Sequence, residues 1–290
     1  MFSKLKTYCN KLIIGNSNYQ YLPFFRIAVG FIALADILTM GSDFKLFFSE
    51  KSTIIPQELT YLFSEYFNYL DPLYTFLRET DNTSNFYFLI FWLYLFSLVC
   101  LILGFRSRLF AFIALILQLI IFKSFALFNF GYDHFLTISL FYCIIFPVGK
   151  FFSLDNKIFK REECLKYDFN YQNMLRIHLG IVYLFAGLAK VISITWWNGE
   201  AVWRSISSIY DSLFKIPPII LAIGGILTLV LEVGYPFLIS FKKTQKATII
   251  GVISMHIGIA FMLQLPLFAG IMIVWNITAY YDVIKKWYKD

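Results

Sequence analysis

The chain has 290 residues, of which 59% are hydrophobic, 20% aromatic and only 15% charged, against roughly 45–50% apolar and about 25% charged in soluble domains. With a mean hydropathy of +0.68, this composition excludes a water-soluble globular fold and makes a lipid bilayer the chain's expected partner. The net charge of +7 does not indicate nucleic acid, because the basic residues fall in short clusters between apolar runs and form no continuous stripe.

The N-terminus carries Lys4, Lys6 and Lys11 before an apolar run from Leu22 to Met40. That run is too long for a signal-peptide core, contains Asp36 and lacks a small-residue cleavage site, so it reads as a retained first span. A spanning helix needs about 20 mostly apolar residues. The pattern predicts an all-α integral membrane fold of about eight transmembrane helices, over 22–41, 85–104, 108–127, 133–149, 173–194, 217–240, 247–263 and 266–283. The fourth is short, and the last two are split at Gln264 and Pro266 with almost no loop.

Between the first two spans, Leu59, Leu62, Phe63, Tyr66, Phe67 and Leu70 recur at helical spacing, with Glu58, Ser64, Glu65 and Asn68 on other faces. This predicts an interfacial amphipathic helix over about 57–71, ended or kinked by Pro72. No soluble domain and no internal repeat is legible, so residues 1–290 read as a single transmembrane domain. Cys9, Cys100, Cys143 and Cys164 are scattered, without a CxxC pair, and indicate neither a disulfide framework nor a zinc site.

Basic residues alternate across the spans. One side collects Lys4, Lys6, Lys11, Arg106, Arg108, Lys150, Lys157, Lys160, Arg161, Lys166, Lys242, Lys243, Lys246, Lys285, Lys286 and Lys289. The other has Lys45, Lys51, Arg78, Arg204 and Lys215, with Lys123 as a further candidate, spread over longer loops. The bias puts both termini in the cytoplasm.

Charges at membrane depth are costly and mark candidate sites. On this topology Asp36, Asp133, His134 and Lys190 lie towards the outer face, and His256 is in the middle of the seventh span. Lys190 shares a helix face with Tyr183 and Gly187, and the glycine leaves room for a neighbouring helix or a ligand. Desolvation makes such a lysine a candidate base; the alternative is that it snorkels to the headgroups. His134 also reads as a capping histidine, and His256 as one bonded to a backbone carbonyl. Glu232 reads as half of a structural ion pair with Arg26 or Arg176. Trp196, Trp197 and Trp203 suit an aromatic belt. No metal-ligand spacing, P-loop, dinucleotide fingerprint or nucleophile elbow is present.

The run Ile181-Val182-Tyr183-Leu184-Phe185-Ala186-Gly187-Leu188-Ala189-Lys190, followed by Trp196 or Trp197 and Gly199, resembles the signature of vitamin K-dependent γ-carboxylase. It also resembles the broader bacterial HTTM (horizontally transferred transmembrane) domain proteins. Gly104 to Arg108, Asn129 to His134, Phe152 to Asp155, and Met255-His256 with Phe268 resemble further motifs of the family, in order, over roughly residues 20–280.

The resemblance implies a multi-pass protein of the bacterial inner membrane with an outward-facing pocket. It implies Lys190 as the base that deprotonates a reduced quinone (vitamin K or menaquinone hydroquinone) and His134 as a second catalytic group. Tyr183, Gly187, Trp197, His256 and Asp133 are the candidate substrate-binding residues, with no metal. Two features depart from the carboxylases: the large soluble domain after the membrane part has no counterpart before Asp290, and Ala189 stands where the animal enzyme has a second lysine. The alternative function is therefore a non-catalytic membrane partner in the maturation or export of a secreted peptide, as in the sporulation-delaying system, or a scaffold for a separate soluble partner protein.

Overall fold

The computed structural model describes residues 19–41, 43–48, 71–124, 129–159, 170–206 and 216–287. The described residues are helices, turns and connections, with no strand. Among the described residues five helices are long and apolar enough to cross a membrane, or six if the bent pair at the C-terminal end is one span. The chain is a multi-pass helical membrane protein in two compact units, one within Tyr19–Leu165 and the other including Lys166–Asp290.

The first unit contains α1 (Tyr21–Thr39), α2 (Phe44–Phe47), α3 (Asp71–Glu79), α4 (Thr83–Leu103), α5 (Ser107–Ser124), α6 (Gly131–Ile145) and α7 (Leu154–Phe159). Helices α1, α4, α5 and α6 close a ring, each packing on the next and α6 returning to α1. Leu22, Phe25, Val29, Ala33 and Ile37 form the buried stripe of α1. Outside the ring, Phe31 and Leu38 on α1 and Trp92 and Phe96 on α4 stay more than half exposed. Helices apolar on both faces belong in lipid.

One end of this ring is tied by Arg26, a fully buried guanidinium. Its Nη2 donates to the Phe152 carbonyl at 2.7 Å and its Nη1 to Ser107 Oγ at 3.5 Å. Asp155 lies within electrostatic reach. Gly104 ends α4 at φ +76°, and a Cβ there would run into the Arg26 guanidinium, so glycine is needed for both the turn and the space.

The second unit contains α8 (Tyr171–Val191), α9 (Ile194–Trp197), α10 (Glu200–Ser205), α11 (Pro218–Leu238), α12 (Lys242–Met262), α13 (Pro266–Ala279) and α14 (Tyr281–Trp287). Helices α8, α11, α12 and α13 again close a ring. Arg176 ties one end of it, with Nε donating to the Ala279 carbonyl at 2.7 Å and Nη2 to Asp282 at 2.6 Å.

The two units repeat one plan. Each has a first helix, a long excursion, and three further helices joined by short turns. Each first helix begins Tyr-x-x-x-x-Arg-Ile-x-x-Gly, at Tyr21, Arg26, Ile27 and Gly30 and at Tyr171, Arg176, Ile177 and Gly180. The buried stripe of α8, Gln172, Leu175, Leu179, Tyr183 and Gly187, stands in register with that of α1. In both units the arginine takes a backbone carbonyl at or after the end of the fourth ring helix, Phe152 past α6 and Ala279 as the last residue of α13, with an aspartate three residues further on. The expectation of no internal repeat is therefore corrected. Matches confined to one position per helical turn, in uniformly apolar sequence, do not stand out along the chain.

Other differences are local. The span expected over 266–283 breaks at Tyr280, where α13 and α14 meet at 78°. Arg176 captures the Ala279 carbonyl there, and a carbonyl so engaged favours a helix end. The fourth ring helix of the first unit ends at Ile145, one residue before the Phe146-Pro147 step, because the residue before a proline disfavours helix. The expected interfacial helix over 57–71 lies outside the described residues except for Asp71. Pro72 falls in the first turn of α3, where its missing N–H costs nothing.

Candidate functional site

The polar groups of the second unit converge around α8. Its N-terminus is capped by Asn170, whose side chain accepts from the Asn173 N–H, and its run carries Tyr183, Gly187 and Lys190 along one face. Gly187 faces α11: a Cβ there would meet Val233 Cγ2 and the Val233 backbone nitrogen at 2.8 Å. The neighbouring helix fills the space left by the glycine. That close approach brings Glu232 of α11 within reach of Lys190.

Lys190 Nζ donates to both Glu232 carboxylate oxygens, at 2.7 and 2.6 Å. The side chains are 25% and 8% exposed. Nζ also stands 5.2 Å from the centroid of the Trp196 ring, a cation–π arrangement. This corrects two expectations. Glu232 pairs with neither Arg26, which ties the first unit, nor Arg176, which ties the end of α13. Lys190 reaches sideways into a carboxylate fourteen residues along α11, about 21 Å from its start at ~1.5 Å per residue.

The chain beyond Lys190 is pinned beside the first half of α11. Trp197 Nε1 donates to the Val191 carbonyl at 2.9 Å, closing the end of α8, and the Trp196 carbonyl lies against Gly225. Trp197 is thus a cap with an exposed ring. Ile192 and Ile194 are largely exposed, so an apolar aromatic surface borders the ion pair.

Next to the pair is a buried network that joins α8, α11, α12 and α13. The Asn276 amide donates to Tyr183 Oη at 2.8 Å and to the Met272 carbonyl at 2.9 Å. Tyr235 Oη donates to Asn276 Oδ1 at 3.0 Å. Tyr183 Oη and His256 Nε2 share a hydrogen bond of 2.8 Å, its direction following the histidine's tautomer. Nδ1 is buried and has no hydrogen-bond partner among the described residues, a high cost in an apolar interior. His256 therefore bonds a phenol and not a backbone carbonyl. His178 packs edge-on against Trp275, with ring centroids 5.0 Å apart.

The remaining candidates, Asp133 and His134, belong to the first unit. Asp133 accepts from the Phe130 N–H at 3.0 Å and caps the start of α6, while His134 is on the exposed side of that helix. Asp36 and Asp133 border a common pocket. Among the described residues there is no cluster of three or more His, Cys, Asp or Glu side chains placed to hold a metal ion.

Sequence reasoning singled out Tyr183, Gly187, Lys190 and His256 but missed Tyr235 and Asn276. Asn276 carried a usable signal, since an uncharged amide inside a spanning run is rarely unpaired. Tyr235 had none among 19 tyrosines. Compared with protein-family models, curated proteins and solved structures, the chain matches none.

Proposed function

We propose that the chain crosses the bacterial inner membrane eight times, four times in each unit, with both termini cytoplasmic, and performs quinol-dependent chemistry akin to that of the carboxylase-like HTTM proteins it resembles. For the topology, the support is the charge on the arginine-tied ends. Arg106, Arg108, Lys150 and Lys157 flank that end of the first ring, and Lys242, Lys243, Lys285 and Lys286 that of the second, as the positive-inside bias requires. Helices α6 and α13, with 15 and 14 residues, are short for a span, but each closes a ring of longer ones.

For the chemistry, the observation that carries the reading is the Lys190–Glu232 pair beside exposed aromatic surface. A snorkelling lysine would reach the headgroups; this one is held by two short bonds. Within the pair, a proton moved from Nζ to the carboxylate leaves a neutral amine beside a neutral acid, and the amine lone pair is then free to take a hydroxyl proton. Trp196 and Trp197, with Ile192 and Ile194, suit a flat ring and an isoprenoid tail. Reduced vitamin K or menaquinone would supply both hydroxyl protons and four electrons, two from the hydroquinone and two from the ring double bond that becomes the epoxide. Dioxygen is the oxidant, one oxygen atom ending in the epoxide and the other in water. The Tyr183–His256 bond links α8 to α12 across the ring beside the pair.

Purified protein in nanodiscs, given reduced menaquinone or vitamin K and oxygen, is expected to form the epoxide, with the product lost in Lys190→Ala and reduced in Glu232→Gln. Absence of epoxide from the wild type, or full turnover in Lys190→Ala, would overturn the proposal.

A further inference from the structure

The first unit holds a second polar site, at the end of its ring away from Arg26. A pocket of about 150 Å³ is bordered by Asp36 of α1, Tyr94 of α4, Gln118 of α5, Tyr132 and Asp133 of α6, and Phe130 before it. Neither carboxylate forms an ion pair with a described lysine or arginine side chain, unlike Asp282 with Arg176, Glu232 with Lys190 and Glu200 with Arg204. One oxygen of Asp133 takes the Phe130 N–H, and the imidazole of His134, exposed on the next residue, lies within electrostatic reach of it. The Tyr132 hydroxyl approaches Asp36. Tyr94 is 2% exposed, borders the same pocket, and its hydroxyl has no partner among the described residues.

We propose that this pocket binds a small organic ammonium ion. Two carboxylates in an apolar bundle, without an ion-pair partner among the described lysines and arginines, call for a cation. The lining supplies acceptors, from Asp36, Asp133 and the phenol oxygens, and an ammonium group supplies three donors and no acceptor. The rings of Tyr94, Phe130 and Tyr132 offer aromatic surface for the charge and its alkyl stem. The volume is that of a cavity able to take a guest of about benzene size, larger than a bare metal ion.

The test is thermal unfolding of the purified full-length protein in detergent, with n-butylammonium chloride as the probe. Sodium chloride at equal ionic strength and n-butanol are the controls for charge and for the alkyl stem. A saturable rise in Tm is expected with n-butylammonium alone. The midpoint of that rise should move to at least tenfold higher concentration in Asp36→Asn and several-fold in Tyr94→Phe. Tyr94→Phe removes an unpaired hydroxyl, so it keeps the wild-type Tm without ligand and separates lost binding from lost folding. No saturable rise, an equal rise with sodium or butanol, or an unchanged midpoint in both variants would overturn the proposal.

Discussion

Breaking the Lys190–Glu232 pair from one side should cost far more than removing it whole. Replacing Glu232 by leucine leaves an ammonium that is only 25% exposed without its two charge-assisted bonds, and the Trp196 ring returns only part of the loss. Removing one partner of a buried pair costs about 3–5 kcal/mol; with a quarter of Lys190 exposed, about 2–4 kcal/mol is expected here. Lys190→Met leaves Glu232, at 8% exposure, equally stranded. The double variant Lys190→Met/Glu232→Leu puts two apolar side chains of similar volume in the gap and should lie within about 1–2 kcal/mol of the wild type. A double-mutant cycle by reversible unfolding in mixed micelles is then expected to give a coupling of at least about 2 kcal/mol. If the single costs simply add in the double variant, the pair is not an energetic unit, and its proton-sharing role loses its basis.

Four further outcomes follow from the same geometry. Gly187→Ala should destabilise by about 1–3 kcal/mol, since its Cβ would meet Val233 at 2.8 Å, whereas Gly180→Ala, whose nearest contact would be 3.8 Å away on Pro236, should be neutral or slightly stabilising in the same unfolding assay. Tyr183→Phe leaves His256 Nε2 without its hydrogen-bond partner and should cost about 1–3 kcal/mol, while Lys190 keeps Glu232, so pairing and network can be told apart by unfolding and by epoxide assay. Gly104→Ala should lower the yield of folded protein, because φ +76° and the Arg26 contact both reject a Cβ. In a cysteine-free background, Phe152→Cys (79% exposed) should react with a membrane-impermeant maleimide only from the cytoplasmic side, and Glu79→Cys only from the outer side; labelling of both from one face would refute the topology.

Hydropathy and charge made the helices legible, because each span must satisfy its backbone internally and bury its charges or keep them at the ends. The bend at Tyr280 was not legible. It depends on Arg176, more than a hundred residues earlier, taking the Ala279 carbonyl, and no local pattern announces a distant capping group. Lys190, Tyr183 and Gly187 were visible as one face of one helix. Their partners were not, because choosing Lys190 over Arg26 or Arg176 for Glu232 depends on which helices adjoin α11. The network through Asn276 required four helices at once.

The repeated plan sharpens which of these residues serve packing and which do something else. Where two units share a backbone plan, a position that serves the plan should keep its character in both. Arg26 and Arg176 do so, as do the pairs Phe25 with Leu175 and Val29 with Leu179 along the buried stripes. Three stripe positions depart: Leu22, Ala33 and Ile37 of α1 correspond to Gln172, Tyr183 and Gly187 of α8, and the Gln172 amide donates to the Thr278 carbonyl of α13. A ring with the same outline can be closed at the last two of these by alanine and isoleucine alone, as the first unit shows, so closure of the ring does not call for a phenol at 183. The glycine at 187 and the phenol at 183 belong instead to the features found only in the second unit, the Lys190–Glu232 pair and the bond to His256. In the first unit the divergence runs the other way, since Asp36 stands where α8 has Ala186 and faces the acidic pocket. In both units the end remote from the arginine tie carries ionisable side chains that the shared plan does not require, and charge inside a membrane bundle is by default the mark of a candidate site.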